Sequence, residues 1–305
     1  MLGHPNLTAV MRVAGPMRNG PSRMCAFSHV TLSSSSIRDR FAVAGLAVAA
    51  LALSACGGSS SAGSSSTAAG TTLQDVKDKG ALVVGTEGTY APFTYHDQGG
   101  SGALTGYDVD VAKAVGQQLG VPVKFEETQW DAIFAGLDAG RFDMIANQVS
   151  ITPERQKQYT FSTPYTVSKG VIVVKKGDTS IASFADLQGK TTAQSLTSNW
   201  YDLAKKSGAN VQNVEGWAQA VTLLEQGRVD ATINDQLTYL DYQKTKGDAG
   251  IAVAATTGDS ARNAFAFRKG SDGLAKAVDQ ALTKLRKDGT LAKISDKYFG
   301  EDVSS

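Results

Sequence analysis

The sequence predicts an α/β protein built as two similar lobes facing each other across a cleft, and three observations carry that prediction. The first is an internal repeat. Leu137 to Asn147 reads L-D-A-G-R-F-D-M-I-A-N and Leu224 to Asn234 reads L-E-Q-G-R-V-D-A-T-I-N, with Leu, Gly, Arg, Asp and Asn at identical offsets. Each copy reads as a helix stopped by a glycine, Gly140 or Gly227, and then an apolar strand with a polar end. The second observation is where those strands end. Open α/β sheets bind ligands beyond the carboxyl ends of their strands, and the two copies deliver Asn147, Gln148 and Ser150 in one lobe and Asn234 and Asp235 in the other. The third is the stretch S-I-T-P-E-R, Ser150 to Arg155. Thr152 is a good N-cap, Pro153 suits the first helical position and Glu154 suits the macrodipole, but a cation in the first turn opposes the dipole by about 0.3 to 1 kcal/mol. Arg155 with Ser150 therefore reads either as a carboxylate clamp, with helix-start N–H groups behind a guanidinium fork, or as an ordinary capped helix with a solvated arginine. A cation from one lobe and an anion from the other would match a zwitterion.

In chain order, residues 1–55 are expected to be a signal peptide. Phe41 to Leu53 is an apolar run short of a comfortable membrane span, with Arg38 and Arg40 before it. Leu53-Ser54-Ala55-Cys56-Gly57 follows and resembles a bacterial lipobox, which implies lipidation of Cys56 as the mature first residue. Met11, Met17 and Met24 offer other start sites for this long leader. Gly, Ser, Ala and Thr dominate from Gly57 to Thr72, so 56–72 is expected to be the lipidated cysteine and a flexible tether.

Processing changes the charge. The leader takes five of the 30 Lys and Arg and one of the 29 Asp and Glu, leaving 25 bases and 28 acids. Without a basic tract, nucleic-acid binding has no support. Cys25, His4 and His29 also leave, so Cys56 and His96 are the only cysteine and histidine retained. That excludes a disulfide framework and argues against a His-based triad or a zinc site of the usual ligand set. His96, in H-D-Q-G-G, is expected on a surface loop.

A short helix near Leu73 to Lys79 and a strand from Ala81 to Gly85 open the first lobe. The loop leaving that strand carries Glu87 and Tyr90, which either enter the cleft or form a turn with a buried tyrosine. Tyr107-Asp108 leads into a helix with Val111, Val115 and Leu119 on one face, and Val121, Val123 and Phe125 alternate as a strand. Trp130 starts a helix with Phe134 and Leu137 on its face, and is either a core anchor or an aromatic wall of the cleft. In the second lobe Gln194 to Trp200 enters a helix, and Asp235 either faces the ligand or caps the helix bearing Leu237 and Leu240. Ser271 is expected to cap a helix carrying Leu274, Val278, Leu282 and Leu285, and a last helix holds Leu291, Ile294 and Tyr298.

G-T-E-G-T-Y-A-P-F, L-T-G-Y-D-V-D-V-A, W-D-A-I-F-A-G-L, G-R-F-D-M-I-A-N, S-I-T-P-E-R and D-G-T-L-A-K-I-S-D-K-Y-F-G occur in this order, and together they resemble the family 3 solute-binding proteins of polar amino-acid ABC importers. The resemblance covers everything from Leu73 onward. It implies a periplasmic-binding-protein type II clamshell with residues 73–166 plus 263–305 as lobe 1 and 167–262 as lobe 2. It also assigns roles. Arg155 and Ser150 hold the ligand carboxylate, Asp235 pairs with the ammonium, and Glu87 stands where many members carry Asp. Tyr90 and Trp130 form walls, Asn147 and Gln148 replace small residues or Ser, and Thr197, Ser198 and Asn199 supply helix-start donors. The form S-L-T-S-N-aromatic looks most like cystine-binding members. The expected function is capture of an extracytoplasmic amino acid by a monomeric lipoprotein and its delivery to a membrane permease, without a cofactor. A secreted dehydratase-type enzyme on the same scaffold, with Glu87 as its acid or base, and a sensor feeding a signalling partner are the rival expectations.

Overall fold

The computed structural model describes residues 70–247 and 250–304. The leader, Cys56 and the tether before Gly70 lie outside the described residues. Thr71 and Thr72, read from composition as the end of that tether, are fixed in the fold, Thr71 buried and Thr72 as an exposed helix cap. The Thr71 N–H donates to Ser271 Oγ at 2.9 Å, Arg268 donates to the Thr71 hydroxyl, and Thr72 forms a capping box with Asp75. Ser271 thus stands at a helix start, as expected, but spends its hydroxyl on the incoming chain and not on its own helix.

The first lobe runs α1 (Leu73–Lys79), β1 (Leu82–Thr86), β2 (Thr89–Tyr90), β3 (Thr94–His96), a helical turn α2 (Asp97–Gly100), β4 (Leu104–Thr105), α3 (Tyr107–Leu119), β5 (Val123–Glu127), α4 (Trp130–Asp138), β6 (Met144–Ile145), α5 (Pro153–Gln158) and β7 (Tyr159–Phe161). The second runs β8 (Thr166–Lys175), a 3₁₀ turn at Phe184–Leu187, β9 (Thr191–Gln194), α6 (Asn199–Lys206), β10 (Asn210–Asn213), α7 (Trp217–Glu225), β11 (Ala231–Asp235), α8 (Gln236–Lys246) and β12 (Ile251–Asn263). The chain then returns to the first lobe as β13 (Ala266–Arg268), α9 (Asp272–Lys287) and α10 (Thr290–Phe299). One five-stranded sheet is ordered β5-β1-β6-β13-β7 and the other β10-β9-β11-β8-β12, with β2-β3-β4 a small meander beside the first. The chain crosses between the sheets twice, from β7 to β8 and from β12 to β13. Antiparallel β8 and β12 pair from Lys175 opposite Ile251 to Thr166 opposite Asn263, and Asn263 also bridges to Ser150.

The repeated sequence has a repeated geometry. Gly140 and Gly227 both adopt left-handed backbone, φ 71° and 68°. The Gly140 and Arg141 N–H groups return to Leu137 and Gly136, and those of Gly227 and Arg228 to Leu224 and Leu223. Both helix ends thus satisfy their last carbonyls in the same way. The repeated aspartates then lace strand to strand. Asp143 accepts the Val83 N–H at 2.8 Å and donates its own N–H to Val83, while Asp230 does the same with Thr191, the side-chain bond being 2.7 Å. Leu137, Phe142, Leu224 and Val229 fill the cores beneath.

Candidate functional site

The cleft begins at the ends of the repeated strands. Asn147 is fully buried and its Oδ1 accepts the Glu87 N–H at 2.8 Å, while its amide donates to the Glu87 carboxylate. Asn234, its counterpart, instead accepts the Tyr90 hydroxyl from the other lobe at 2.8 Å, together with the Asp235 N–H. One asparagine therefore shapes the loop of its own lobe, and the other ties the lobes together.

Gln148 follows Asn147 with φ 49°, in the left-handed region that a side chain occupies at a cost. Its N–H is held there by Asp108 Oδ2. Asp108 is fully buried, and burial pushes its carboxyl up to about 7 against the lowering effect of that N–H. The turn sends the Gln148 amide across the cleft, where Nε2 donates to Asp235 Oδ2 at 3.2 Å. Asp235 is 1% exposed; Ser168 Oγ also donates to Oδ2 and the Leu237 N–H to Oδ1 at 2.9 Å. Asp235 is thus the N-cap of α8 and a buried hub, with its carboxyl raised by burial.

Thr152 caps α5 through the Arg155 N–H at 3.2 Å. The Arg155 guanidinium lies 5.3 Å from the ring centres of both Trp130 and Phe134. It donates to the Ser150 carbonyl at 3.0 Å and across the cleft to the Thr197 carbonyl at 3.1 Å. That uses two of its five N–H donors. Burial lowers its pKa to about 10, so it stays cationic at neutral pH. The Ser150 hydroxyl is turned away, donating to Asn263 Oδ1 at 2.8 Å.

Between the lobes lies a cavity of about 500 Å³. Of the residues expected in the site, Glu87, Tyr90, Trp130, Gln148, Ser198 and Asn199 line it; Asn147, Ser150, Arg155 and Asp235 do not and are held by the contacts above, and Thr197 lies outside it at an exposed position. Trp130 is both core and wall, being 8% exposed, packed with Ile133 and Leu137, and open to the cavity on one side. Ser198 caps α6 through the Tyr201 N–H at 3.0 Å. Burial lifts the Glu87 carboxyl to about 7; the Asn147 amide opposes this, and Asp131 and Glu215 add to it.

Several lining residues were not anticipated, among them Gln194, Glu127, Glu215 and Trp217. His96, expected on a surface loop, ends β3 and places Nε2 2.8 Å from Glu127 Oε2 and Nδ1 2.8 Å from the Gly102 carbonyl. Trp217 had a signal in the sequence, because Trp130 and Trp217 stand 11 residues before Arg141 and Arg228 and so belong to the repeat.

Comparison with known proteins agrees with this architecture. The chain is 53% identical over 229 residues to the L-cystine-binding protein TcyA of Bacillus subtilis (strain 168), covering 75% of this chain and 85% of that one. Among solved structures, the L-cystine solute receptor of Neisseria gonorrhoeae in its unliganded open conformation is 47% identical with a TM-score of 0.53, covering 77% of this chain and 100% of that one. An ancestral arginine-binding protein bound to glutamine is 39% identical with a TM-score of 0.69, covering 73% of this chain and 99% of that one. Residues 82–301 match the bacterial extracellular solute-binding proteins, family 3, and the chain belongs to that family.

Proposed function

We propose that this protein is the amino-acid receptor of an ABC importer, with cystine as its ligand, and that it binds without transforming what it holds. The observation that carries the reading is the cavity between the lobes, with one group for each charge of a zwitterion held against residues that line it, the Arg155 guanidinium on Trp130 and the Asp235 carboxylate on the Gln148 amide. Arg155 and the Thr197 to Asn199 turn supply the carboxylate half, and Asp235 and Gln148 the ammonium half. Glu87, Tyr90, Trp130, Asn147 and Ser150 complete the site. Ligand then stabilises closure of lobe 1 (73–166 plus 263–305) on lobe 2 (167–262) about the two crossings. The present arrangement is the closed form. The better match to the bound ancestral protein, TM-score 0.69 at 39% identity, than to the open cystine receptor, 0.53 at 47%, supports this.

The closed receptor is a monomer, held at the outer side of the bacterial membrane by lipid on Cys56, and it presents its ligand to the permease. Calorimetric titration of the purified protein with L-cystine and the common amino acids tests the reading. A dissociation constant near ~1 μM, about −8 kcal/mol, is expected for cystine, and no heat with any amino acid rejects the reading. Cys56→Ala should move the protein from the membrane fraction to the soluble one with ligand affinity unchanged. A wild-type protein that never sediments with membranes removes the anchor.

A further inference from the structure

Gly170, buried in β8, stands where the sheet of the second lobe meets the cavity. It lies directly opposite Asp235 in the antiparallel pairing of β8 with β11, and beside a break in β12, whose register shifts between Thr256 and Ser260. Gly170, Ile172 and Val174 alternate onto one face of β8. Ile172 and Val174 pack there with Ile233 and Ala204, and the Trp200 indole, from the first turn of α6, packs against the same cluster.

The absent side chain is what makes room for that indole. A Cβ on residue 170 would collide with Trp200 Cζ3 and stand 2.9 Å from Trp200 Cη2 and 3.0 Å from the Thr257 methyl. Thr257 is itself fixed, its hydroxyl accepting the Gly170 N–H at 3.0 Å and donating to the Asp259 carbonyl at 2.7 Å. The atoms in the way are the far edge of a ring and not backbone, so a methyl group here moves the ring before it moves the fold. The packed cluster resists a displaced ring. The cavity, which Trp200 also lines, does not.

We propose that Gly170 is a positioning residue that sets the length of ligand the cavity accepts: it seats the Trp200 indole against the sheet and so keeps the chamber open to a molecule that extends well past its own amino-acid group. This inference rests on the amino-acid-receptor reading and names how its cavity selects. Any side chain at residue 170 advances the ring and shortens the chamber. A long ligand such as cystine is penalised, and a short one held at Arg155 and Asp235 is spared.

Calorimetry of the intact protein tests this with L-cystine and with S-methyl-L-cysteine, which keeps the amino-acid group and the sulfur and stops one methyl group further on. Gly170→Ala should weaken cystine about tenfold or more and change S-methylcysteine by no more than about threefold. Trp200→Phe removes the ring edge that the new methyl group meets, so adding Gly170→Ala to Trp200→Phe should change cystine affinity by less than about twofold. That comparison stands even where Gly170→Ala alone does not fold. A wild type that prefers the shorter compound, cystine affinity kept by Gly170→Ala, an equal loss of both compounds, or a full further loss in the Trp200→Phe background would overturn the positioning role and leave the receptor reading standing. A wild type that binds neither compound nor any other amino acid would remove the two together.

Discussion

Thr197 donates both its hydroxyl, at 2.7 Å, and its N–H, at 3.2 Å, to Asp131 Oδ1, so a carboxylate of the first lobe occupies donors of the second. A side chain thereby stands in for a ligand carboxylate at the turn where one is expected to bind. Two such bonds at an exposed site hold the lobes together by about 1 to 3 kcal/mol. Asp131→Ala should therefore shift the empty protein toward the open form by about tenfold or more in population. Small-angle scattering should record a larger radius of gyration for the empty variant and an unchanged one with ligand. Identical scattering of the empty variant and wild type would show that this pair does not hold the lobes.

The fork of Arg155 has a separate test. A lysine ammonium keeps the charge but cannot bond the Ser150 and Thr197 carbonyls together while stacking on Trp130 and Phe134. Arg155→Lys should cost about 10- to 100-fold in ligand affinity by calorimetry. Loss of the ring contacts should cost the fold only about 0.5 to 1 kcal/mol. Affinity retained within twofold or so would leave the arginine a structural role only.

Asp235 joins cap and cleft, and its two roles separate by substitution. Asp235→Ala leaves the Leu237 N–H, the Ser168 hydroxyl and the Gln148 amide without their acceptor, and should destabilise the empty protein by about 1 to 3 kcal/mol in urea. Asp235→Asn keeps a good cap and should recover most of that stability. It should not recover ligand binding, because the charge opposite the ammonium is gone. An Asn variant that binds as wild type would confine Asp235 to capping.

Glu87 makes stability depend on pH in a defined direction. Its folded pKa, about 7, lies above the unfolded value near ~4.3. Between these values the folded protein keeps a proton that the unfolded chain has lost, so the Glu87 contribution is most favourable below the lower value and declines as pH rises to about 7. Urea unfolding of wild type and Glu87→Gln from about pH 4.5 to 7.5 isolates this from Asp108 and other groups. The wild type should lose stability relative to the variant as pH rises, and a difference that does not vary with pH would mean that Glu87 titrates normally.

Much of the fold was legible because it is encoded locally. A leucine on the helix, a glycine at its left-handed stop, an aspartate leading into the strand and an asparagine near its end recur with fixed spacing, and the recurrence alone implies two lobes. The cap of α5 by Thr152 was legible for the same reason. The site was legible in its parts more than in its joints. Whether Asn147 and Asn234 do the same work depends on Glu87 and Tyr90, 60 and 144 residues away, and they do not. That Asp235 is a cap and also a cross-cleft acceptor depends on the left-handed turn at Gln148, which nothing in Asn-Gln-Val announces. Trp217 was missed because the repeat was read from Leu224 onward and not from the start of its helix.

All three of the chain's tryptophans, at 130, 200 and 217, line the one cavity. The protein's indole emission therefore has no background from remote sites. Its wavelength and intensity sample a single chamber from both lobes at once, and a change in that chamber's hydration or charge alters the whole signal and not a fraction of it. The molecule carries its own optical gauge of occupancy, with no label attached.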